Sequence, residues 1–310
     1  MWGRTAACVI ARTRTECRIL ANMSDLKTPD PDEPLPNPEE IEGQLQRLVG
    51  VLVESSVPQD KWAVQQADQL WHHAGGFAFK LCRHAGSVLT LVRQYSSIGV
   101  GQPKFLDCPS VSILARAGWE CFLLFHHIFI DVADHDERRM RHRRWLIDGV
   151  RARQGYAALN PDQESQKKDE IKMIGAWEAE VRANPAFLRF CPDCRKHFLK
   201  RQIWHDSWAD LGDRAHIGKL FGHDHYSHLC DYAHSGSLSV VGQKDEQDPE
   251  SVRSLRVAAA GLLAIAVANV IMDLATLFPG IGKITDPDEL GLVKYWIDLG
   301  HGPEPNTVPA

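Results

Sequence analysis

The residues of this chain that could do chemistry gather in three places. The first is the segment SVSILARAGWECFLLFHHIFIDVAD (110–134), where Arg116, Glu120, His127, Asp131 and Asp134 interrupt an otherwise apolar run. On a helix advancing 100° per residue, with Arg116 at zero, Glu120, His127, Asp131 and Asp134 fall at about 40, 20, 60 and 0°. Every strongly polar side chain except His126 therefore shares one narrow stripe. A helix whose remaining faces are Phe, Leu, Ile and Trp is buried, and buried charges must be paired or shift their pKa. Two readings follow. In one, Arg116 and Glu120 form an i,i+4 pair that fixes helix packing. In the other, the stripe lines an interior pocket with His127 as acid/base and a carboxylate such as Asp131 as its partner.

The second place is GHDHYSHLCDYAHSGSL (222–238). His234 ends a predicted helix, Gly236 can supply its left-handed cap, and Asp231 lies one turn away. A protonated imidazole is favoured there by the helix dipole, which is the structural reading. Against it, His223, His225, His228 and His234 are dense enough to form a site. The third place is CPDC (191–194), with His197 and His205 on the same predicted helix, a set of tetrahedral zinc ligands. The chain has no second CxxC, so the 223–228 histidines would have to complete a zinc site. The alternative is a surface cysteine pair beside a helix-starting Pro192. A thioredoxin-like redox role lacks its βαβ context. Two Asp-x-x-His pairs, Asp213/His216 and Asp231/His234, are similar to those of carboxylate di-metal bundles, but the inward Glu set of such bundles is missing.

Holding these groups requires helices. Residues 24–38 carry five prolines and several acids and read as a flexible arm. Asn37-Pro38-Glu39-Glu40 starts the first helix, followed by Ile41, Leu45, Leu48, Val51 and Leu52 at helical spacing. Further helices are predicted at about 59–94 with a kink at Gly75-Gly76, from a Ser110 cap to 134, and over 138–154. Residues 155–170 read as a loop, and helices follow at 169–183, 192–205, 224–234, 250–278 and 287–298. No segment alternates apolar and polar residues between turn signals, so the fold class is all-α: a single helical-bundle domain over 37–299, a disordered arm over 1–36 and a loose tail over 300–310. Met23 opens a more ordinary start, MetSerAspLeuLys, so residues 1–22 are expected to be a misassigned start, with an Arg-rich targeting segment as the alternative.

Composition narrows the rest. A hydrophobic share of 44% with 24% charged residues can bury a core and excludes a disordered or collagen-like chain. The net charge of −5 excludes coating nucleic acid or acidic membrane through bulk charge. A local patch remains: Arg138, Arg139, Arg141, Arg143, Arg144, Arg151 and Arg153 crowd one helix, offering phosphate or nucleic-acid contact, or a solvated face that offsets Asp131, Asp134, Asp136 and Glu137. Of eight cysteines, six stand singly, which points to a reducing cytoplasm. The Ala-rich run 257–272 carries Asn269 and meets Asp273, so it reads as a core helix with no membrane partner.

LARAGWE (114–120), the aromatic run to Asp131, the Arg-rich helix and YSHLCDYAHSGS (226–237) together resemble the bacterial domain-of-unknown-function family 5677 over about residues 65 to 275. Arg116, Glu120, Tyr226, Tyr232 and His234 match the family's pattern, with Cys230 where the family has Ser, and the resemblance implies a helical bundle that brings Arg116 and Glu120 near His234. It brings no established activity. By contrast, the Arg-x4–6-His spacing of ribonucleases in the higher-eukaryote and prokaryote nucleotide-binding superfamily does not occur: Arg138/His142 and Arg201/His205 are too close and Arg189/His197 too far apart. The expected function is a ligand-binding or interaction module using Arg116, Glu120, His127, Asp131 and His234, in stress or defence by family analogy alone. A hydrolase of nucleic acid or nucleotide, metal-dependent or of that ribonuclease type, is the rival.

Overall fold

The computed structural model describes residues 37–65, 69–94, 106–200, 205–233, 248–279 and 284–302, with backbone alone within 57–65 and 231–233. They form eleven α-helices and one π-helical turn, with no strand among the described residues. The helices are α1 (Pro38–Gln65), α2 (Gln69–Arg93), α3 (Cys108–Phe129), α4 (His135–Gln154), α5 (Pro161–Ala183) and α6 (Pro185–Arg189). They continue with α7 (Pro192–Lys200), α8 (Trp208–Arg214), the π turn (Leu220–His225), α9 (Tyr226–Ala233), α10 (Pro249–Leu277) and α11 (Pro287–His301).

One local device starts most of these helices: a short polar residue followed within two positions by proline. Asn37, Asp107, Asn160, Asn184, Asp248 and Asp286 each accept a backbone N–H of the first turn, and proline fills N1 or N2, where no N–H is needed. This device corrects two expectations. The cap of α3 is Asp107, and Ser110 only donates to it at 3.1 Å. The polar stretch expected to loop through 170 becomes helical at Pro161, because Asn160 caps it through Gln163 N–H at 2.9 Å. The early turns of α5 carry no apolar stripe because both of their faces are polar, which removes the periodic signal. Helix α3 also stops five residues early, at Phe129, and Asp134 instead caps α4 by accepting Glu137 N–H at 2.8 Å.

Helix α10 is the axis of the bundle. Residues 257–271 are buried almost without interruption, and α1, α2, α3 and α11 pack around them. Its small residues and those of its neighbours let backbones approach: a Cβ on Gly118 of α3 would stand 2.5 Å from Leu263 Cδ2, and one on Gly300 of α11 would stand 2.5 Å from Ile265 Cγ2. By length and composition, α3 and α10 could each cross a membrane; in α10, 83% of the most apolar window is covered by the other helices, as a core helix requires. A second, smaller apolar cluster joins Met140 and Ile147 of α4 to Val181, Ala186, Phe187 and Leu199 of α5 to α7. Helix α4 belongs to both clusters, since Trp145 lies 5.1 Å from Phe77 of α2, and His142 meets His73 with ring nitrogens 2.8 Å apart.

Candidate functional site

The polar stripe of α3 faces α8 and α9, and its upper half is a three-residue network. Arg116 Nε donates to Glu120 Oε1 at 2.8 Å, and Tyr226 Oη, at the start of α9, donates to the same oxygen at 2.9 Å. The guanidinium of Arg116 sits 5.4 Å from the centre of the Tyr226 ring. Beyond Tyr226 the ring contacts continue to Trp208 at 5.9 Å and from Trp208 to His205 at 4.7 Å. Burial and the Glu120 carboxylate together push the Tyr226 phenol up, so it stays protonated and a donor. Burial alone would lower Arg116, but its bond to Glu120 outweighs that and holds its pKa above the ordinary value. Glu120 Oε2 takes no bond among the described residues, and the side chains of Arg116 and Glu120 are 19% and 26% accessible, so the network is sheltered yet reachable from water.

The lower half of the stripe is organised by Arg141 of α4. Its Nη1 donates to His127 O at 2.7 Å and Asp131 Oδ2 at 3.2 Å and lies 3.0 Å from His127 Nδ1, while Nη2 donates to Glu137 at 2.6 Å. Arg214 at the end of α8 joins Asp131 to Asp206, at 3.3 and 2.7 Å. A guanidinium can only donate, so His127 Nδ1 facing it is the acceptor and the ring proton sits on Nε2. Burial, reinforced by the Arg141 charge, pushes the His127 pKa down to about 2. Asp131 stands 3.9 Å from His127, outside hydrogen-bond range, so it does not orient the imidazole. The predicted acid/base pair is thus an arginine-centred clamp. Its neighbour His126 is also kept neutral, its pKa pushed to about 4 by burial against the pull of Asp131.

The histidines of 223–228 do not converge. His223 is exposed and pairs with Asp224 at 2.9 Å, while His225 is buried on Phe221 with its ring 3.2 Å from Leu220 O. His234 and the side chains of Asp231 and Tyr232 lie outside the described residues. The zinc set is likewise unassembled. Cys191 and Cys194 bond to each other, His197 is exposed on α7, and His205 stacks on Trp208 with Nδ1 2.5 Å from Asp206 O. Among the described residues no group of three or more His, Cys, Asp or Glu is placed to hold a metal, and this covers the Asp213/His216 pair too.

Most arginines of the Arg-rich helix are engaged in internal links, as the reading of a face that offsets nearby acids has it. Arg138 donates to Phe129 O at 2.8 Å, Arg143 to Glu180 at 2.7 Å, and the fully buried Arg144 to Phe198 O at 2.9 Å. Arg151 meets Glu178 and Leu199 O, and Arg153 pairs with Glu170 at 2.9 Å. The balancing acids Glu170, Glu178 and Glu180 come from α5, and periodicity gives no sign that they face α4. Sequence reasoning also missed the pair Glu42–Arg256: Glu42 is 2% exposed, and Arg256 Nε donates to it at 2.8 Å while Arg256 Nη2 reaches Glu39 at 2.9 Å. These line a cleft of about 540 Å³ with Val92 and Arg93. The available signal was Glu42 on the apolar face of α1, one residue from Ile41.

Comparisons of the chain with family models, with curated proteins and with solved structures found no match in any of the three.

Proposed function

We propose that this chain is a ligand-binding or interaction module that reads its partner through the α3 stripe where α8 and α9 cover it. The observation that carries the reading is the Tyr226–Glu120–Arg116 network: its donors converge on one carboxylate oxygen, and the other takes no bond among the described residues. An enzyme of the hydrolase class needs a base with a free lone pair near a reacting atom. His127, the candidate base, has Nδ1 turned to Arg141 and almost no basicity. A binding site needs less: a fixed carboxylate acceptor, an arginine, and aromatic edges, which are common anchors of recognition surfaces. The partner's chemistry follows as a group that donates hydrogen bonds to Glu120 and packs an apolar surface on Tyr226 and Trp208. The resemblance to family 5677 points to the same three side chains and is the sole support for a bacterial role in stress or defence, while the cytoplasmic reading rests on the scattered single cysteines.

The test is a thermal-shift screen of the full chain against nucleotides, amines, amino acids and short peptides, with RNA and nucleotide hydrolysis measured alongside. Glu120→Gln and Tyr226→Phe should keep the fold and abolish the shift given by any ligand that stabilises the native protein. Hydrolysis by the native protein that Glu120→Gln removes would establish the enzyme reading instead. Native-like ligand shifts in both variants would displace the site from the stripe.

A further inference from the structure

The two cysteines of the 191–194 segment are exposed, unlike the other described cysteines, of which three are buried and Cys230 is half-buried. Cys82, Cys108 and Cys121 are buried, and burial pushes the Cys82 thiol to about 11 and the Cys121 thiol to about 12, which makes both inert at neutral pH. Cys121 also donates its S–H to Phe77 O. Cys191 and Cys194 are exposed, bonded to each other, and placed where α7 begins: Cys191 directly precedes Pro192, and Cys194 lies in the first turn. The backbone N–H of Cys194 donates to Cys191 Sγ at 3.1 Å.

From this geometry we infer that Cys191 and Cys194 form a thiol–disulfide exchange site whose co-reactant is a low-molecular-weight disulfide. A thiolate at Cys191 is stabilised by the donated N–H and by the positive end of the α7 dipole, which makes it the nucleophile and the leaving group of the pair. It attacks one sulfur of the small disulfide, making a mixed disulfide and releasing one thiolate, which takes up a proton. The Cys194 thiol loses its proton to water and attacks Cys191 Sγ, closing the bridge and releasing the second thiol. Two electrons pass from the cysteine pair to the small disulfide, and the reverse sequence reduces the bridge.

Two further observations favour exchange over a purely structural bridge. The loop closed by residues 191–194 is so short that the bond restrains the unfolded chain less than a bridge across a longer loop would. The other end of α7 is held without it, by Leu199 in the second apolar cluster and by Arg144 and Arg151 donating to the carbonyls of Phe198 and Leu199, each at 2.9 Å. Opening the bridge therefore frees the start of the helix and leaves its end docked. No βαβ unit is needed for this, since the exposed pair, the helix start and the donated N–H are all local.

The experiment equilibrates the full chain with mixtures of reduced and oxidised glutathione, traps free thiols with N-ethylmaleimide, and reads each cysteine by mass spectrometry. The expected result is that Cys191 and Cys194 pass together and reversibly from labelled to unlabelled as oxidised glutathione rises, while Cys82, Cys108 and Cys121 stay unlabelled in native protein. In the reduced protein Cys191 should alkylate at least about tenfold faster than Cys194 at pH 7. Cys194→Ser should trap a glutathione adduct on Cys191, and Cys191→Ser should not trap one on Cys194 at a comparable rate. Both positions are exposed, so unchanged melting temperatures will show that these variants fold. The proposal is overturned by a bridge that resists glutathione until the protein is denatured. Failure of the pair to oxidise at any ratio, equal reactivity of the two thiols, or zinc bound by the pair in stoichiometric amount would each overturn it as well.

Discussion

Asp273, four residues from the end of α10, is a half-buried carboxyl with one oxygen left unsatisfied. The residue's rim is partly accessible, but Oδ2 is closed off from solvent and accepts no hydrogen bond. Burial raises its pKa from 3.8 to about 8, so at pH 7 the folded protein carries a proton there that the unfolded chain does not. Taking up that proton at pH 7 costs at most about 4 kcal/mol, from about 1.4 kcal/mol per unit between 3.8 and 7. Asp273→Asn removes this cost but still buries an amide, so a net gain of about 2 kcal/mol is expected at pH 7. In a domain of this size that is about 4 to 8 °C in melting temperature. The sign of the pH dependence is specific. A group whose folded pKa is raised contributes its full stability below 3.8 and loses it as pH rises through 8. Because the amide penalty does not change with pH, Asp273→Asn should be less stable than the native protein by about 2 kcal/mol near pH 4, overtake it as pH rises toward neutrality and level off above pH 8. Melting curves of both proteins at intervals from pH 4 to 9 measure this. A difference that stays flat over that range, or a variant less stable than the native protein at pH 7, would falsify the assignment of a lone buried carboxyl.

The clamp at the lower stripe makes a second prediction. Arg141→Ala leaves Asp131 and Glu137 without their shared donor; since both are partly exposed and Asp131 keeps Arg214, the loss should be about 2 to 3 kcal/mol, below that of a fully buried pair. The same change should raise the His127 pKa, narrowing the acid window in which unfolded histidine binds a proton and the folded ring does not; imidazole NMR titration reads this, and an unmoved His127 would sink the clamp. A third prediction contrasts two glycines. Gly118→Ala should cost about 1 to 3 kcal/mol by driving a methyl into the fully buried Leu263, whereas Gly76→Ala in α2, with open space around its Cβ, should stabilise by about 0.5 to 1 kcal/mol in chemical denaturation. The reverse order would mean that α3 and α10 do not approach as closely as described.

The sequence by itself determined the helical class and the existence of most helices, because apolar spacing and the polar-residue-then-proline starts are local signals that need no knowledge of neighbours. It also required that Arg116 and Glu120 find partners, with an i,i+4 pair as one reading, since charges on a nearly all-apolar helix must be satisfied when it is buried; that the Tyr226 segment would supply a partner was implied by the family resemblance alone. Only the tertiary structure decided what the rest of the stripe is. The role of His127 depends on Arg141, fourteen residues away and brought close by the chain reversal between α3 and α4, and no periodicity encodes that encounter. The arginines of α4 read as a basic face until α5 places Glu170, Glu178 and Glu180 against them, and only the first turns of α5 escaped the sequence, because turns that are polar on both faces have no hydrophobic period. The pair Glu42–Arg256 joins residues more than two hundred positions apart. Local sequence sets which residues must be satisfied, and chain packing alone settles which partner satisfies each.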